Sequence, residues 1–141
     1  MKTLIVFYSY SGKTRAIAQE MAKKETCDIA EVRSAKAIGK LKAYTAGIFA
    51  SIKGRAWPIM PLEVALPDYD RLVLLAPVWA NNPPPAFNAL LEQLPSGKAI
   101  AVKMVSASGK SDCEERLGAI IKEKGCTLES FIDIGVPRTN R

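Results

Sequence analysis

The chain has 141 residues, a formal net charge of +6 and 48% hydrophobic residues, which fits one domain with an ample apolar core. It contains no histidine, which excludes Ser-His and Cys-His nucleophilic catalysis and removes the commonest metal ligand. Its three cysteines lack metal-type spacing, so neither a zinc site nor a disulfide framework is indicated. We therefore predict a single domain over residues 1–141 without a metal site, whose chemistry, if it has any, comes from a cofactor.

The first predicted elements are an apolar strand over residues 3–8 and a helix over about 13–24. The loop that joins them is Ser9-Tyr10-Ser11-Gly12-Lys13-Thr14. A strand that turns directly into a helix aims the free N–H groups of the first helical turn, and the positive end of the helix dipole, at one spot. The serine and threonine hydroxyls add donors there, and Gly12 lets the backbone approach closely. The loop therefore predicts a phosphate site.

A second interpretation of this loop is the Walker A motif, because Gly12-Lys13-Thr14 matches the tail of that motif. The motif requires a glycine five residues before its second glycine, and here that position is Phe7, inside the strand. The loop is too short to wrap a triphosphate, and the sequence therefore disfavours an NTPase.

A short, edge-like strand is predicted over residues 29–32, and the segment 35–67 follows it. Residues 35–49 could form a helix, which the sequence around Gly54 and Pro58 must break. Basic and apolar residues intermix along this segment. We favour a crossover that packs its apolar residues onto the sheet, and the alternative is a surface for a partner or an anionic membrane.

The second half of the chain continues the alternation of strands and helices. Residues 71–76 form an apolar run typical of a strand buried on both faces, and a loop and a proline-initiated helix follow it. A strand over 99–105 leads into a loop and then into a capping box, Ser111-x-x-Glu114, which predicts a helix that ends at Gly125. We expect all three cysteines to be small, partly buried thiols, and the alternative concerns Cys113, which would lie in the first turn of this helix, where the pKa of a thiol can fall. The last predicted strand covers residues 128–134.

This alternation predicts a parallel sheet with right-handed crossovers and helices on both faces. Ligands of such sheets bind beyond the carboxyl ends of the strands. The loops 9–14, 77–82 and 106–111 follow the first, third and fourth strands, and we expect them to form the binding site together.

The hydroxyl-rich loop 9–14 resembles the phosphate loop of flavodoxins, and Pro-Val-Trp followed by small residues and prolines resembles the flavin-ring loop of small flavodoxin-like proteins. The resemblance covers nearly the whole chain. It implies an α/β fold with a doubly wound five-stranded parallel sheet, flavodoxin-like in its order 2-1-3-4-5. About seven residues follow the last strand, so we expect the C-terminal helix to be missing or truncated.

The resemblance implies FMN as the cofactor and assigns three groups of binding residues, with no catalytic residue. The phosphate loop is Ser9, Tyr10, Ser11, Gly12, Lys13 and Thr14; the first ring loop is Pro77, Val78, Trp79, Ala80 and Asn81; the second ring loop is Ser106, Ser108 and Gly109. Trp79 has the large π-face needed to stack on the flavin ring, and the alternative is a core or lid tryptophan. The second ring loop has no aromatic residue, so the ring is expected to be stacked on one face only.

The function implied is an FMN-binding electron-transfer protein, with an electron carrier favoured over a reductase that has its own substrate. The alternative is a binding or scaffold module that keeps the fold but holds flavin weakly or not at all. A redox partner protein is implied, and its identity as donor or acceptor is open. A homodimer, or capping by the segment 35–67, would cover the sheet face that a missing last helix leaves bare.

The basic balance of this chain departs from flavodoxins, which are usually acidic. The basic residues are scattered rather than grouped, and no RNA-binding or helix-turn-helix signature is present, so we expect no nucleic-acid binding. Met1-Lys2 lead directly into a strand, and no apolar run could span a membrane, so the expected location is the cytoplasm without stable membrane insertion.

Overall fold

The computed structural model describes residues 1–35 and 43–136, with the side chains of the second range given from residue 45 onward. Five strands form one parallel sheet in the order β2-β1-β3-β4-β5, which confirms the predicted order. The strands are β1 Thr3–Tyr8, β2 Asp28–Val32, β3 Arg71–Pro77, β4 Ala99–Ser106 and β5 Thr127–Gly135. Each observed boundary lies within one residue of the prediction because the apolar runs and their flanking turns define the strands clearly.

The described residues contain four α-helices, which lie between the strands. They are α1 Lys13–Glu25, α2 Ile48–Lys53, α3 Pro85–Glu92 and α4 Glu114–Glu123. A π-helical turn, Ala43–Gly47, precedes α2, and a short 3-10 helix, Leu66–Asp68, precedes β3. The helix predicted over 35–49 differs from this arrangement: residues 36–42 lie outside the described residues, and α2 runs on to Lys53. It ends there because Gly54 adopts a left-handed conformation with φ 68°.

The helices cover both faces of the sheet and bury two apolar cores. On one face, Ile5 and Phe7 of β1 pack with Ala18 of α1. On the other face lies the larger core, where Phe87 of α3 and Leu117 of α4 pack against the opposite side chains of the strands. β3 contributes to both cores, as its unbroken apolar run predicts.

The α1 face is less covered at β5. Ile132 is 45% exposed, whereas Ala101 on the neighbouring strand β4 is 1% exposed. After β5 the described residues include only Val136, whose N–H donates to the carbonyl of Ser106 at 2.8 Å, and residues 137–141 lie outside the described residues. The homodimer through this face stays a prediction, with Ile132 as the side chain that a second copy would cover.

The buried hydroxyl of Ser51 gives a first test of the packing of α2. This side chain is 0% exposed, and its Oγ has no hydrogen-bond partner among the described residues. A buried hydroxyl without a partner costs about 1–3 kcal/mol of desolvation. We expect Ser51→Ala to raise the free energy of unfolding by about 1 kcal/mol, the low end of that range. Urea denaturation of both proteins measures this, and a destabilised variant would show that the hydroxyl is bonded in solution.

Candidate functional site

The three predicted binding loops lie side by side. They follow β1, β3 and β4, which are consecutive in the sheet, and all three strands are parallel. Their carboxyl ends therefore meet at the same edge, and the structure brings the three loops together as the alternation of elements predicts.

The loop after β1 is a tight turn into α1. Gly12 has φ 101°, a conformation that disfavours any side chain, and its N–H donates to Ser9 Oγ at 3.0 Å. The first helical hydrogen bond runs from the N–H of Ala16 to the carbonyl of Gly12 at 3.1 Å. The preceding N–H groups of the first turn have no partner in the helix, and Thr14 lies buried among them. This end of α1 can therefore bind an anion.

A cluster of charged side chains that the sequence prediction missed lies beside this loop. Arg15 of α1 donates from Nη2 to Glu31 Oε2 at 2.5 Å, and Arg33 donates from Nη2 to Glu31 Oε1 at 3.3 Å. The hydrogen bond to Glu31 raises the pKa of the Arg15 guanidinium. Two arginines on one carboxylate leave a positive charge next to the loop, since Arg15 Nη1 lies 3.8 Å from where a Cβ on Gly12 would stand. The position of Arg15 directly after the loop was the available signal.

The loop after β3 is a two-residue turn. Trp79 and Asn82 exchange backbone hydrogen bonds of 2.8 and 3.0 Å. The central residues Ala80 and Asn81 have φ 49° and 64°, as in a type I′ turn. Asparagine tolerates this conformation, whereas alanine is strained in it. The turn presents Trp79 at one end, and the predicted loop residue Pro77 is still the last residue of β3.

The ring of Trp79 joins three parts of the chain. Its centroid lies 6.1 Å from that of Tyr8 and 5.7 Å from that of Tyr10, both at steep interplanar angles of 73° and 88°. On a third side, Gly47 leaves no room for a side chain, because a Cβ there would stand 2.6 Å from Trp79 Cζ3. Tyr10 and Trp79 belong to different predicted binding loops, so the structure places these loops in direct contact.

The loop after β4 repeats the geometry of the loop after β1. Ser106 Oγ accepts a hydrogen bond from the N–H of Gly109 at 3.0 Å, three residues on, and Gly109 has φ 72°. A Cβ on Gly109 would also stand 3.1 Å from Gly135 Cα, which shows how closely the loop approaches the end of β5. The hydroxyl of Ser108 accepts from the N–H of Lys110 at 3.3 Å. These bonds fold the loop back over the carboxyl edge of the sheet.

The capping box predicted at the start of α4 was wrong. The helix begins at Glu114 with Cys113 at the N-cap position and no side-chain cap, and Ser111 Oγ, two residues earlier, donates to Asp133 Oδ1 at 2.6 Å. Cys113 lies at the N-cap position, and burial raises the pKa of its thiol rather than lowering it. Its Sγ donates to the carbonyl of Asn81 at 3.3 Å, so it supports the turn that carries Trp79.

Arg116 is a further support of this turn that the sequence prediction missed. Its Nη1 donates to Asn82 Oδ1 at 2.6 Å. The same guanidinium lies over Gly54, where a Cβ would stand 1.8 Å from Nη2. Arg116 thus links α4 to the Trp79 turn and to the end of α2. Only the helical register of α4 could have indicated this role, and it does not specify the partner.

Comparisons with known proteins agree on the fold. No protein-family profile and no curated protein matches the chain. A flavoprotein from Lactobacillus acidophilus, solved in complex with FMN, superposes with a TM-score of 0.75 at 22% identity over 92% of this chain and 91% of its own. A candidate flavoprotein from Bacteroides eggerthii gives 0.80 at 16% identity over 99% and 90%. Oxidised flavodoxin 2 from Bacillus cereus gives 0.58 at 18% identity over 100% and 88%.

These likenesses, together with the strand order 2-1-3-4-5, establish that the chain has the flavodoxin-like fold. Among the described residues, no helix is both long and apolar enough to cross a membrane.

Proposed function

We propose that this protein binds FMN at the carboxyl edge of the sheet and serves in electron transfer. The observation that carries the proposal is the contact between the loop at the N-terminus of α1 and the turn that presents Trp79. An anion site and an aromatic side chain then stand next to each other, as a phosphorylated ligand with a flat ring requires. The FMN complex of the Lactobacillus acidophilus flavoprotein, which has the same fold, supports this choice of ligand.

The loop residues divide into two roles in this proposal. The N–H groups at the start of α1, with the hydroxyls of Ser11 and Thr14, would hold the phosphate, and the charge of Lys13 and Arg15 would favour it. Trp79 and the backbone of the turns around Ala80 and Gly109 would position the flavin ring. The turn at Gly109 fits such a role because a glycine does not screen the backbone groups around it.

Bound FMN would supply the redox chemistry, and the protein would supply binding, orientation and electrostatics. The chain has no histidine, and the thiol of Cys113 is buried with its pKa raised, so neither a histidine-activated nucleophile nor this thiol is available for a reaction on a separate substrate. This supports an electron carrier over a reductase with its own substrate. Its partner would be a second redox protein.

The alternative function is a module with the same fold that holds no flavin. The strained turn at Ala80 and the aromatic neighbours of Trp79 would then serve packing alone. Purification from cells separates the two functions. A yellow protein that releases FMN on denaturation supports the first, and a colourless protein that takes up no added FMN supports the second.

The positive charge of Lys110 near the site is expected to raise the reduction potential of bound FMN. Lys110 is exposed in the loop after β4, and a unit charge about 8 Å away is worth about 2 kcal/mol at an effective dielectric near 20, before salt screening. A positive charge favours the anionic, fully reduced flavin. We expect Lys110→Gln to lower the reduction potential of the second one-electron step of bound FMN by roughly tens of millivolts. Spectroelectrochemistry at low salt measures the shift, and an unchanged potential would show that this charge does not reach the ring.

A further inference from the structure

The net charge of the chain is concentrated in one segment. Residues 32–62 hold six of the twenty lysines and arginines and none of the fourteen acidic residues. The other fourteen basic residues are matched in number by the fourteen acidic ones, so residues 32–62 carry a formal charge of +6, whereas the rest of the connection between β2 and β3 adds the acidic residues Glu63, Asp68 and Asp70. The six residues are Arg33, Lys36, Lys40, Lys42, Lys53 and Arg55.

Within this segment, α2 turns small residues inward and large ones outward. Gly47 contacts the ring of Trp79, Ser51 is fully buried, and Gly54 lies under Arg116. Large side chains from the turn after β3 and from α4 fill the space that the inner face of α2 leaves. The outer face carries Phe49 and Ile52, each 54% exposed. Burying apolar side chains is ordinarily favourable, so an outward Phe and Ile on one short helix indicate a surface that something else covers.

Two cations stand against the exposed aromatic ring. Lys53 Nζ lies 5.8 Å and Arg55 Cζ lies 5.7 Å from the centroid of Phe49. We define the α2 patch as Phe49, Ile52, Lys53 and Arg55. An aromatic anchor beside a rim of one charge is typical of a protein–protein interface. The described residues 43–62, which include the patch, contain no acidic residue, and the next one along the chain is Glu63.

We propose that the α2 patch is the docking surface for an acidic redox protein. The proposal rests on the proposed electron-transfer function and adds the place and the charge of the partner. Gly47, one residue before α2, touches Trp79 on the inner side of this segment, so a partner seated on the outward α2 patch would be separated from the ring loop of the candidate FMN site by α2 alone. Charge complementarity would steer the encounter, and Phe49 and Ile52 would be buried in it.

The patch fits a protein better than the other acidic surfaces of the cell. α2 has six residues, which is too short to lay an apolar face along a bilayer. The ring of Phe49 already carries two cations, whereas a nucleic-acid base would need that face for stacking. An acidic protein with an apolar centre satisfies both the charges and the apolar side chains of the patch.

The test uses a plant-type [2Fe–2S] ferredoxin, an acidic redox protein, as the probe. Amide chemical shifts of the 15N-labelled chain are followed while oxidised ferredoxin is added at low salt, and the dissociation constant is fitted. We expect the largest shifts at residues 47–55 and at the Trp79 turn. The double reversal Lys53→Glu/Arg55→Glu should weaken binding at least tenfold, and Phe49→Ser/Ile52→Ser should weaken it with the charge unchanged.

The control is Lys23→Glu/Lys24→Glu, which changes the net charge equally. These exposed lysines lie in the last turn of α1, at the opposite edge of the sheet, and we expect a change of less than about threefold. An equal loss of ferredoxin affinity in the Lys53→Glu/Arg55→Glu and Lys23→Glu/Lys24→Glu variants would overturn the proposal. Chemical-shift changes centred on α1 would also overturn it. So would the absence of ferredoxin binding while phosphatidylserine vesicles or single-stranded RNA bind through the α2 patch.

The failure of this proposal can be told apart from the failure of the proposed function. Ferredoxin binding is measured on the FMN-free protein and does not require the cofactor. If the protein binds ferredoxin on the α2 patch but takes up no FMN, the docking proposal stands and the proposed FMN binding fails. If it binds FMN but not ferredoxin, FMN binding stands and the docking proposal fails.

Discussion

Thr14→Ala is expected to weaken FMN binding about ten- to hundredfold, because the variant loses one hydrogen bond to a charged group, worth about 1.5–3 kcal/mol. Thr14 is 2% exposed and lies in the first turn of α1, where its hydroxyl can add to the free N–H groups of the helix end. Isothermal titration with FMN measures the loss. Riboflavin, which lacks the phosphate, should bind the variant and the wild type nearly equally.

Thr14→Ser is the matched control, since it keeps the hydroxyl and removes only a methyl group. We expect it to retain most of the FMN affinity that Thr14→Ala loses. Urea denaturation of the FMN-free variants separates binding from folding. Equal losses of FMN and riboflavin affinity in Thr14→Ala would show that the loop after β1 does not hold the phosphate.

Gly47→Ala is expected to displace Trp79 and to weaken the binding of FMN and of riboflavin alike. Each 1.4 kcal/mol of overpacking would weaken binding by about tenfold. The backbone of Gly47 is ordinary helix, with φ −68° and ψ −43°, so alanine suits the conformation. Only the side-chain contact opposes it, because the new Cβ would stand 2.6 Å from Trp79 Cζ3. Tryptophan fluorescence and ligand titrations of the variant measure the effect.

A double-mutant cycle isolates this contact. Phenylalanine at position 79 lacks the outer ring that touches Gly47, so Gly47→Ala should cost little in the Trp79→Phe background. Gly118→Ala in α4 is the control, since its Cβ would meet Leu128 Cδ2 at an ordinary 3.5 Å. If Gly47→Ala leaves the affinities for FMN and riboflavin unchanged in the wild-type background, α2 does not position the ring loop.

Much of the fold could be predicted from the sequence because its signals are local. The apolar run of β3, the prolines before α3 and the glycine after α4 each depend on a few neighbouring residues. The positions of the loops after β1, β3 and β4 then follow from the rules of parallel sheets. The site was predictable to this extent, as three loops at one edge.

The contacts within the site depend on distant residues and could not be predicted. Ser111 matches a capping pattern, but its hydroxyl donates a hydrogen bond to Asp133, which lies 22 residues away. The place of Cys113 in the helix left a lowered thiol pKa open, and only the packing of the turn after β3, which buries the thiol, decides against it. The contact of Gly47 with Trp79 needs the path of the whole crossover, since no pattern near either residue specifies it.

The central claim is that FMN lies between the N-terminus of α1 and Trp79. The chain has two tryptophans, so Trp57→Phe leaves Trp79 as the only one. Titration of this variant with FMN, followed by tryptophan and flavin emission, tests the claim most directly. We predict saturable binding of one FMN per chain with loss of the Trp79 emission. Saturable binding without any change in Trp79 emission, or no binding at all, would contradict the account.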